Sequence, residues 1–274
     1  MKLFKQFFNF YIDASIHVAL AVIALLYATD VLLNIPIDLH LNFFVFFGTI
    51  SGYNFIKYGV EAKKYVLVAL RYHKIIQFFS VFCLFIAGYH LSFLDKNSLI
   101  FLAVILVLTL LYAVPVLPNA KNLRNLGGLK IFIVALVWAG TTVVFPAIKE
   151  EIAISWDVLV ETLQRFVMIL ILLVPFEIRD LAYDAPELKT LPQRFGVANT
   201  KIIASFGVVL FYALTFLKDT FLMVDVIGKG ILFLVLGITI FSTKRNQSKY
   251  FSSFWVEAIP IFWFGILFLL SELI

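Results

Sequence analysis

Three carboxylates stand close together in the second half of the chain. Glu177, Asp180 and Asp184 are spaced i, i+3 and i+7. A helix continuing to Asp184 would place them on one face, with neighbouring Cβ atoms about 5–6 Å apart. Such an arrangement suits a hard divalent cation, since Mg²⁺ commonly takes one or two carboxylates and completes its shell with water and substrate phosphate. The spacing therefore predicts a Mg²⁺ site that receives a phosphorylated substrate.

Cationic side chains follow these carboxylates. Lys189 and Arg194 come just beyond them and could meet an anion as a point charge and a planar fork, respectively. Pro186 disfavours helical geometry at the preceding residue. The helix is therefore expected to end there, with the carboxylates at the membrane surface. The alternative is a helix end with solvated charges, in which Arg179 only pairs with its neighbours, because D-x-x-x-D spacings are common.

Composition excludes an ordinary soluble protein. Of 274 residues, 62% are hydrophobic and 14% are charged, against about 25% charged in a typical globular domain. The single cysteine, Cys83, excludes an extracellular disulfide module. A bilayer-spanning helix needs roughly 20 mainly apolar residues, so this chain is predicted to be an all-α polytopic membrane protein.

The elements that must position the carboxylates are nine apolar segments separated by polar, glycine or proline breaks. They cover about 14–34, 39–58, 73–94, 98–117, 129–148, 160–178, 199–217, 226–242 and 251–273. We expect a bundle of nine transmembrane helices that forms a single membrane-embedded domain over residues 1–274. Residues 1–12 alternate aromatic and cationic or polar positions, which predicts an amphipathic segment lying in the membrane interface.

The distribution of lysine and arginine orients this bundle. Seventeen of these cations fall on one side of the predicted spans and four on the other. The positive-inside rule then places the N-terminus in the cytoplasm and the C-terminus outside, in an inner or plasma membrane. The longer cytoplasmic loops are expected at about 58–73 and 179–200. Topology and anionic lipid account for the net charge of +5, so no nucleic-acid partner is expected.

Two ionisable residues lie inside a predicted span. Glu161 and Arg165 are spaced i, i+4 near the outer end of the sixth apolar segment. Side chains at this spacing are neighbours on a helix, and charges in a membrane usually pair with one another. The sequence therefore predicts an ion pair at the end of the bundle opposite to the three carboxylates.

The carboxylate segment resembles the second aspartate motif of the UbiA superfamily of intramembrane prenyltransferases. The resemblance rests on Arg179 and Asp180, Asp184, the K-T-L-P run that starts at Lys189, and Gly196. A second similarity covers the family's segment after its fourth helix; it comprises Leu111, Tyr112, Pro115, Lys121, Arg124, Gly127 and Gly128.

This resemblance implies a nine-helix bundle with a lateral cavity open to lipid. Members of the family transfer a prenyl group from an isoprenyl diphosphate to a hydrophobic, often aromatic, acceptor, with Mg²⁺ held by two aspartate-rich loops. The resemblance implies that Asp180 and Asp184 hold the metal, with Glu177 as a third ligand. It also implies that Lys189 is a catalytic basic residue. The residues implied on the diphosphate side are Tyr112, Lys121, Arg124 and Arg194.

The first aspartate motif of the family is degenerate here. Asn54 is retained, but the aspartate positions hold Phe55, Tyr58 and Ala62, and Glu61 is one residue out of register. The sequence therefore supports one Mg²⁺ but lacks the family's ligands for a second. Asn54 and a lysine of the same loop, Lys57, are expected on the wall opposite to the carboxylates, where a lysine can neutralise phosphate charge without a metal.

Two functions remain open from the sequence. The first is a Mg²⁺-dependent prenyltransferase that uses an isoprenyl diphosphate and a lipid-soluble acceptor. The second is a non-catalytic homologue that binds a lipid or quinone-type ligand or scaffolds membrane partners. The missing aspartates of the first motif favour the second function, since loss of one charge-stabilising group can cost about 3–4 kcal/mol in the transition state.

Overall fold

Apolar sequence segments become helices in the computed structural model, which describes residues 2–60, 71–113, 129–184 and 186–274. The α-helices are α1 Lys2–Asp13, α2 Ile16–Leu33, α3 Leu39–Asn54, α4 Arg71–Leu91, α5 Lys96–Ala113, α6 Leu129–Ala139, α7 Phe145–Lys149, α8 Trp156–Asp180, α9 Leu191–Ala213, α10 Met223–Ser242 and α11 Ile259–Leu273. Three π-helical segments interrupt or extend them, at Phe55–Val60, Gly140–Val144 and Phe251–Val256. Short 3₁₀ segments lie at Pro186–Leu188 and Leu214–Leu217.

Eight helical stretches among the described residues are long and apolar enough to cross a membrane. They are Ile16–Leu33, Arg71–Leu91, Lys96–Ala113, Leu129–Lys149, Trp156–Asp180, Leu191–Leu217, Met223–Ser242 and Phe251–Leu273. The second predicted segment forms α3, a helix of 16 residues that continues into the π-helical segment Phe55–Val60. The all-α membrane architecture is confirmed, whereas the count of nine spans stays a prediction.

Helices α2 and α8 form the interior of the bundle. Helix α2 packs against α3 and α11, and α8 packs against α6, α9 and α10. The first and last spans are therefore neighbours. Large apolar side chains of α4, α5 and α9, such as Phe85, Leu106 and Phe206, point outward and are exposed. In a bilayer these outward faces meet lipid tails, which are as apolar as the side chains themselves.

A cluster of buried charges joins the N-terminal ends of α8 and α10. We call Glu161, Arg165, Lys218, Asp225 and Lys229 the ionic cluster; each is no more than 4% exposed. Glu161 contacts three cations, with N–O distances of 3.1 Å to Arg165, 2.9 Å to Lys218 and 2.7 Å to Lys229. Asp225 lies 2.7 Å from both lysines. The predicted Glu161–Arg165 pair is confirmed within this larger network.

The ionic cluster keeps its charges because they face one another. Burial alone would lower the pKa of Lys218, but the neighbouring Glu161 and Asp225 carboxylates raise it above the usual lysine value. Arg165 also donates to the Leu25 carbonyl at 2.7 Å, which ties α8 to α2. The cluster therefore joins α2, α8, α10 and the turn after α9.

The charged groups of α8 form two sets, one within its first ten residues and one within its last four. Glu161 and Asp180 are 19 residues apart in this helix, which corresponds to about 28 Å at 1.5 Å per residue. The hydrocarbon core of a bilayer is about 30 Å thick. The ionic cluster and the predicted metal-binding motif therefore lie near opposite faces of the membrane-spanning region.

Removal of the central carboxylate should destabilise the bundle. We expect Glu161→Gln to reduce the free energy of unfolding by about 3–5 kcal/mol, because it leaves three buried cations facing the single remaining carboxylate of Asp225. Thermal denaturation of the purified protein in detergent would measure the effect. Glu272→Gln, at an exposed position near the end of α11, is the matched control. Equal unfolding temperatures for the two variants would contradict the central role of Glu161.

Candidate functional site

Helix α8 ends where the predicted carboxylate motif lies. Its last residue is Asp180, and the chain makes one more turn in which the Asp184 amide donates to the Asp180 carbonyl at 2.9 Å. Residues 181–190 connect α8 to α9, which begins at Leu191 with the Gln193 side chain accepting from the Thr190 amide at 3.0 Å. Gly196, with a φ of 76°, breaks the regular geometry of α9, so a short helical turn and a kink lie within the segment 179–200 predicted as a loop.

The start of α9 also fixes the position of Asp184. The Gln193 side chain donates to the Asp184 carbonyl at 3.1 Å. Glu177 is 3% exposed, and its Oε2 accepts from the amide of Leu191 at 3.3 Å. The first amides of a helix have no partner within the helix, so Glu177 both caps α9 and fastens it to α8.

A lysine of α6 lies between two of the predicted metal ligands. The Lys130 Nζ is 3.9 Å from Glu177 Oε1 and 3.9 Å from Asp184 Oδ2. Sequence reasoning counted Lys130 only as a topological charge, since nothing in its spacing marks it as part of the motif. It reaches the carboxylates because α6 packs against α8.

Asp180 is held differently from the other two carboxylates. Its two oxygens accept from the Arg179 side chain at 2.7 and 3.0 Å in a bidentate pair. The interpretation in which Arg179 pairs with a neighbour is therefore confirmed for Asp180. The three predicted metal ligands thus form two groups. Asp180 pairs with Arg179, whereas Glu177 and Asp184 lie on either side of Lys130.

Whether this site fits Mg²⁺ depends on how many ligand side chains come together there. Across the part of the chain that the structure describes, no three histidine, cysteine, aspartate or glutamate side chains form a group able to hold a metal. Two carboxylates do converge, and the buried Asp184 Oδ2 has no hydrogen-bond partner. Because Mg²⁺ can use one or two carboxylates together with water and phosphate, these residues fit one such ion.

Asn54, at the end of α3, serves as a junction between helices. It is 3% exposed; its side-chain oxygen accepts from the Ser15 hydroxyl at 2.8 Å. Its amide group donates to the Ala14 carbonyl at 2.9 Å and to the Ser80 hydroxyl at 2.8 Å. The asparagine shared with the family's first motif therefore connects the α1–α2 turn to α3 and α4.

Lys57 follows in the π-helical segment Phe55–Val60, where its side chain is exposed. Its Nζ donates to the Asp13 carbonyl at 3.3 Å and lies 5.3 Å from the centroid of the Tyr58 ring. The charges of both Lys57 and Arg179 act on the carboxylate of Glu257, which follows the π-helical segment Phe251–Val256. Glu257 therefore lies within electrostatic range of one cation from each of the two walls predicted for the site.

Sequence reasoning missed Glu257, although a signal for it exists. It lies within the apolar stretch Phe251–Leu273, and an ionisable residue inside a span is a functional candidate by default.

Three of the remaining predicted residues fall within the described part of the chain. Tyr112 is buried near the end of α5, and Arg194 is exposed in the first turns of α9. Lys189 is exposed in the α8–α9 connection, with a positive φ of 43°. Lys121 and Arg124 lie outside the described residues.

Comparison with solved structures identifies the fold. A UbiA homologue from Aeropyrum pernix K1, solved in its apo form, is similar with a TM-score of 0.65 and 15% identity, over 94% of this chain and 98% of that one. A digeranylgeranylglyceryl phosphate synthase is similar with a TM-score of 0.58 and 17% identity, over 98% of each chain. The sequence matches no protein-family model and no curated protein. This chain therefore shares its fold with these two proteins, which confirms the predicted resemblance at the level of the fold.

Asn54 should contribute more to stability than its position in the predicted motif suggests. We expect Asn54→Ala to lower the free energy of unfolding by about 1–3 kcal/mol, because the buried Ser15 and Ser80 hydroxyls and the Ala14 carbonyl each lose a partner. Thermal denaturation in detergent would test this. Asn97→Ala, at an exposed position in the first turn of α5, is the control, and an unfolding temperature equal to that control would contradict the junction role.

Proposed function

We propose that this protein is an intramembrane prenyltransferase that moves an isoprenyl group from an isoprenyl diphosphate to a lipid-soluble acceptor. The observation that carries the proposal is the convergence of Glu177, Asp184 and Lys130 at one end of an apolar bundle with the UbiA fold. A substrate with a hydrophobic chain and an anionic head requires an apolar interior next to a cluster of charged side chains. The charge distribution of the sequence supports a cytoplasmic position for this end, with the N-terminus inside and the C-terminus outside.

The described residues suggest how the diphosphate would be held. Lys57, Lys130 and Lys189 would supply positive charge around the site, and Asp184 carries a buried oxygen that has no hydrogen-bond partner and lies 3.9 Å from Lys130. A bound Mg²⁺ would be held by Asp184 and Glu177 and would withdraw charge from the diphosphate. Fixed charges aimed at a developing anion are often the largest contribution to catalysis, so these side chains would favour departure of the diphosphate.

The proposed reaction begins with cleavage of the C–O bond between the prenyl group and the diphosphate. The bonding electrons leave with the diphosphate, and the allylic cation is trapped by an electron pair of the acceptor, which then releases a proton to solvent. Aromatic side chains can stabilise the cation through their π faces by about 0.5–2 kcal/mol each. Tyr53, next to Asn54 in the chain, and Trp138 would be candidates for this role; the indole N–H donates to the tyrosine oxygen at 2.7 Å.

The second candidate is a homologue that binds a lipid or quinone-type ligand without turnover. Two observations favour it: Asp180 is neutralised by Arg179, and the amide of Asn54 is used within the bundle. In this function the apolar interior would bind the ligand, and the charges at the Asp180 end would hold only its polar head.

Diphosphate release distinguishes these functions. We expect proteoliposomes supplied with isoprenyl diphosphates, Mg²⁺ and a panel of aromatic and glyceryl phosphate acceptors to release diphosphate. Asp184→Asn should reduce the rate about 100- to 1,000-fold, the usual effect of losing one charge-stabilising group, and should weaken the Mg²⁺ dependence of diphosphate binding. Asp180→Ala should have a smaller effect, because Asp180 is already paired with Arg179.

The matched control is Asp219→Asn, an exposed carboxylate beyond α9, close to Asp157 at the ionic-cluster end of the bundle. It should leave the rate unchanged. Binding of isoprenyl diphosphate with no release by the wild type, for every acceptor, would support the second candidate. Absence of both binding and release would contradict the prenyltransferase proposal.

A further inference from the structure

We propose that Lys130 acts as a fixed cation in place of a second metal ion, so that the site works with one divalent cation and one ammonium group. This inference rests on the proposed function, because it assumes that a diphosphate binds at the Asp180 end. It assigns a specific role to a residue of α6 that lies outside both aspartate motifs.

The position of Lys130 supports this role. Its Nζ lies at equal distances of 3.9 Å from Glu177 and Asp184, which is beyond the length of a hydrogen bond. The ammonium is therefore held by charge without being bonded to either carboxylate. Its side chain is 21% exposed, so an anion that approaches the carboxylate pair can reach the same ammonium.

Charge arithmetic indicates how many metal ions this arrangement accommodates. Glu177 and Asp184 carry two negative charges, and Lys130 reduces the sum to one. One divalent cation converts this to a single positive charge, which attracts a diphosphate. A further divalent cation would need further carboxylates, and the nearby Asp180 is already paired with Arg179.

The described positions of the first motif do not provide those carboxylates, and Glu61 lies outside the described residues. Phe55 and Tyr58 occupy two of the aspartate positions of the first motif, and Asn54 uses its amide to bind Ala14 and Ser80. Lys57 adds a positive charge there instead. Both walls therefore replace metal charge with side-chain charge.

A purely structural ion pair is the competing interpretation of Lys130. In that case Lys130 would stabilise the ends of α6, α8 and α9, and its removal would lower the unfolding temperature without changing diphosphate affinity in the folded protein. If Lys130 instead contacts the diphosphate, its removal should greatly weaken diphosphate binding even at temperatures at which the variant is fully folded.

The test measures metal stoichiometry and anion affinity without turnover. Purified protein in nanodiscs is titrated with Mn²⁺ in the presence of saturating inorganic diphosphate, and bound Mn²⁺ is counted by electron paramagnetic resonance. We expect one Mn²⁺ per chain for the wild type. We expect Lys130→Met to weaken inorganic diphosphate binding about 10- to 100-fold at saturating Mg²⁺, as for loss of one charge-assisted contact.

Three comparisons make the result specific. Lys130→Arg keeps the charge and should retain diphosphate affinity better than Lys130→Met. Lys244→Met, at an exposed position after α10, should leave affinity unchanged. Thermal denaturation confirms that each variant is folded at the temperature of the titration, so a loss of affinity cannot be attributed to unfolding.

Two Mn²⁺ ions per wild-type chain, or unchanged diphosphate affinity in folded Lys130→Met, would overturn the role of Lys130 while leaving the proposed function intact. Failure of the wild type to bind diphosphate at all would overturn the proposed function and this inference together.

Discussion

The cost of placing a charge in a low-dielectric interior governs this structure. Of the full chain, only 14% of residues are charged, and the charges of α8 fall within its first ten and its last four residues. In the ionic cluster every carboxylate–cation distance is between 2.7 and 3.1 Å. At the other end Lys130 stays 3.9 Å from its carboxylates. Arg179 and Asp180 also pair at 2.7 Å at this end, so Lys130 is the loosely held cation among the described ion pairs there.

Irregular helical geometry accompanies the looser end. Two of the three described π-helical segments lie there: Phe55–Val60 carries Lys57, and Phe251–Val256 immediately precedes Glu257. A π-helical turn inserts an extra residue into a helix and is common at functional sites. Backbone N–H and C=O groups in a membrane must form hydrogen bonds within the protein. A π-helical turn keeps most of these bonds while it changes the direction of a side chain. Buried Asn54 then holds the first segment in place.

The sequence predicts the parts of this molecule that depend on local pattern. Apolar segments identify the spans, and the i, i+4 spacing identifies the Glu161–Arg165 pair. The division of the three carboxylates is not predictable from spacing, because it depends on α6 packing against α8 and bringing Lys130 between Glu177 and Asp184. The same holds for Asn54, whose partners come from the α1–α2 turn and from α4. Tertiary contacts, not motif positions, decide these roles.

A site that replaces metal charge by lysine charge has a consequence for product release. A divalent cation bound by one carboxylate and a lysine side chain each present one net positive charge to a phosphate. The metal, however, can leave together with the diphosphate, whereas Lys57 and Lys130 stay attached to the chain. In the proposed mechanism fixed cations would therefore retain the product after reaction. The carboxylates of Glu177 and Asp184, each 3.9 Å from Lys130, would oppose that retention, so their loose pairing with Lys130 is what would allow a site with a fixed cation to release its product.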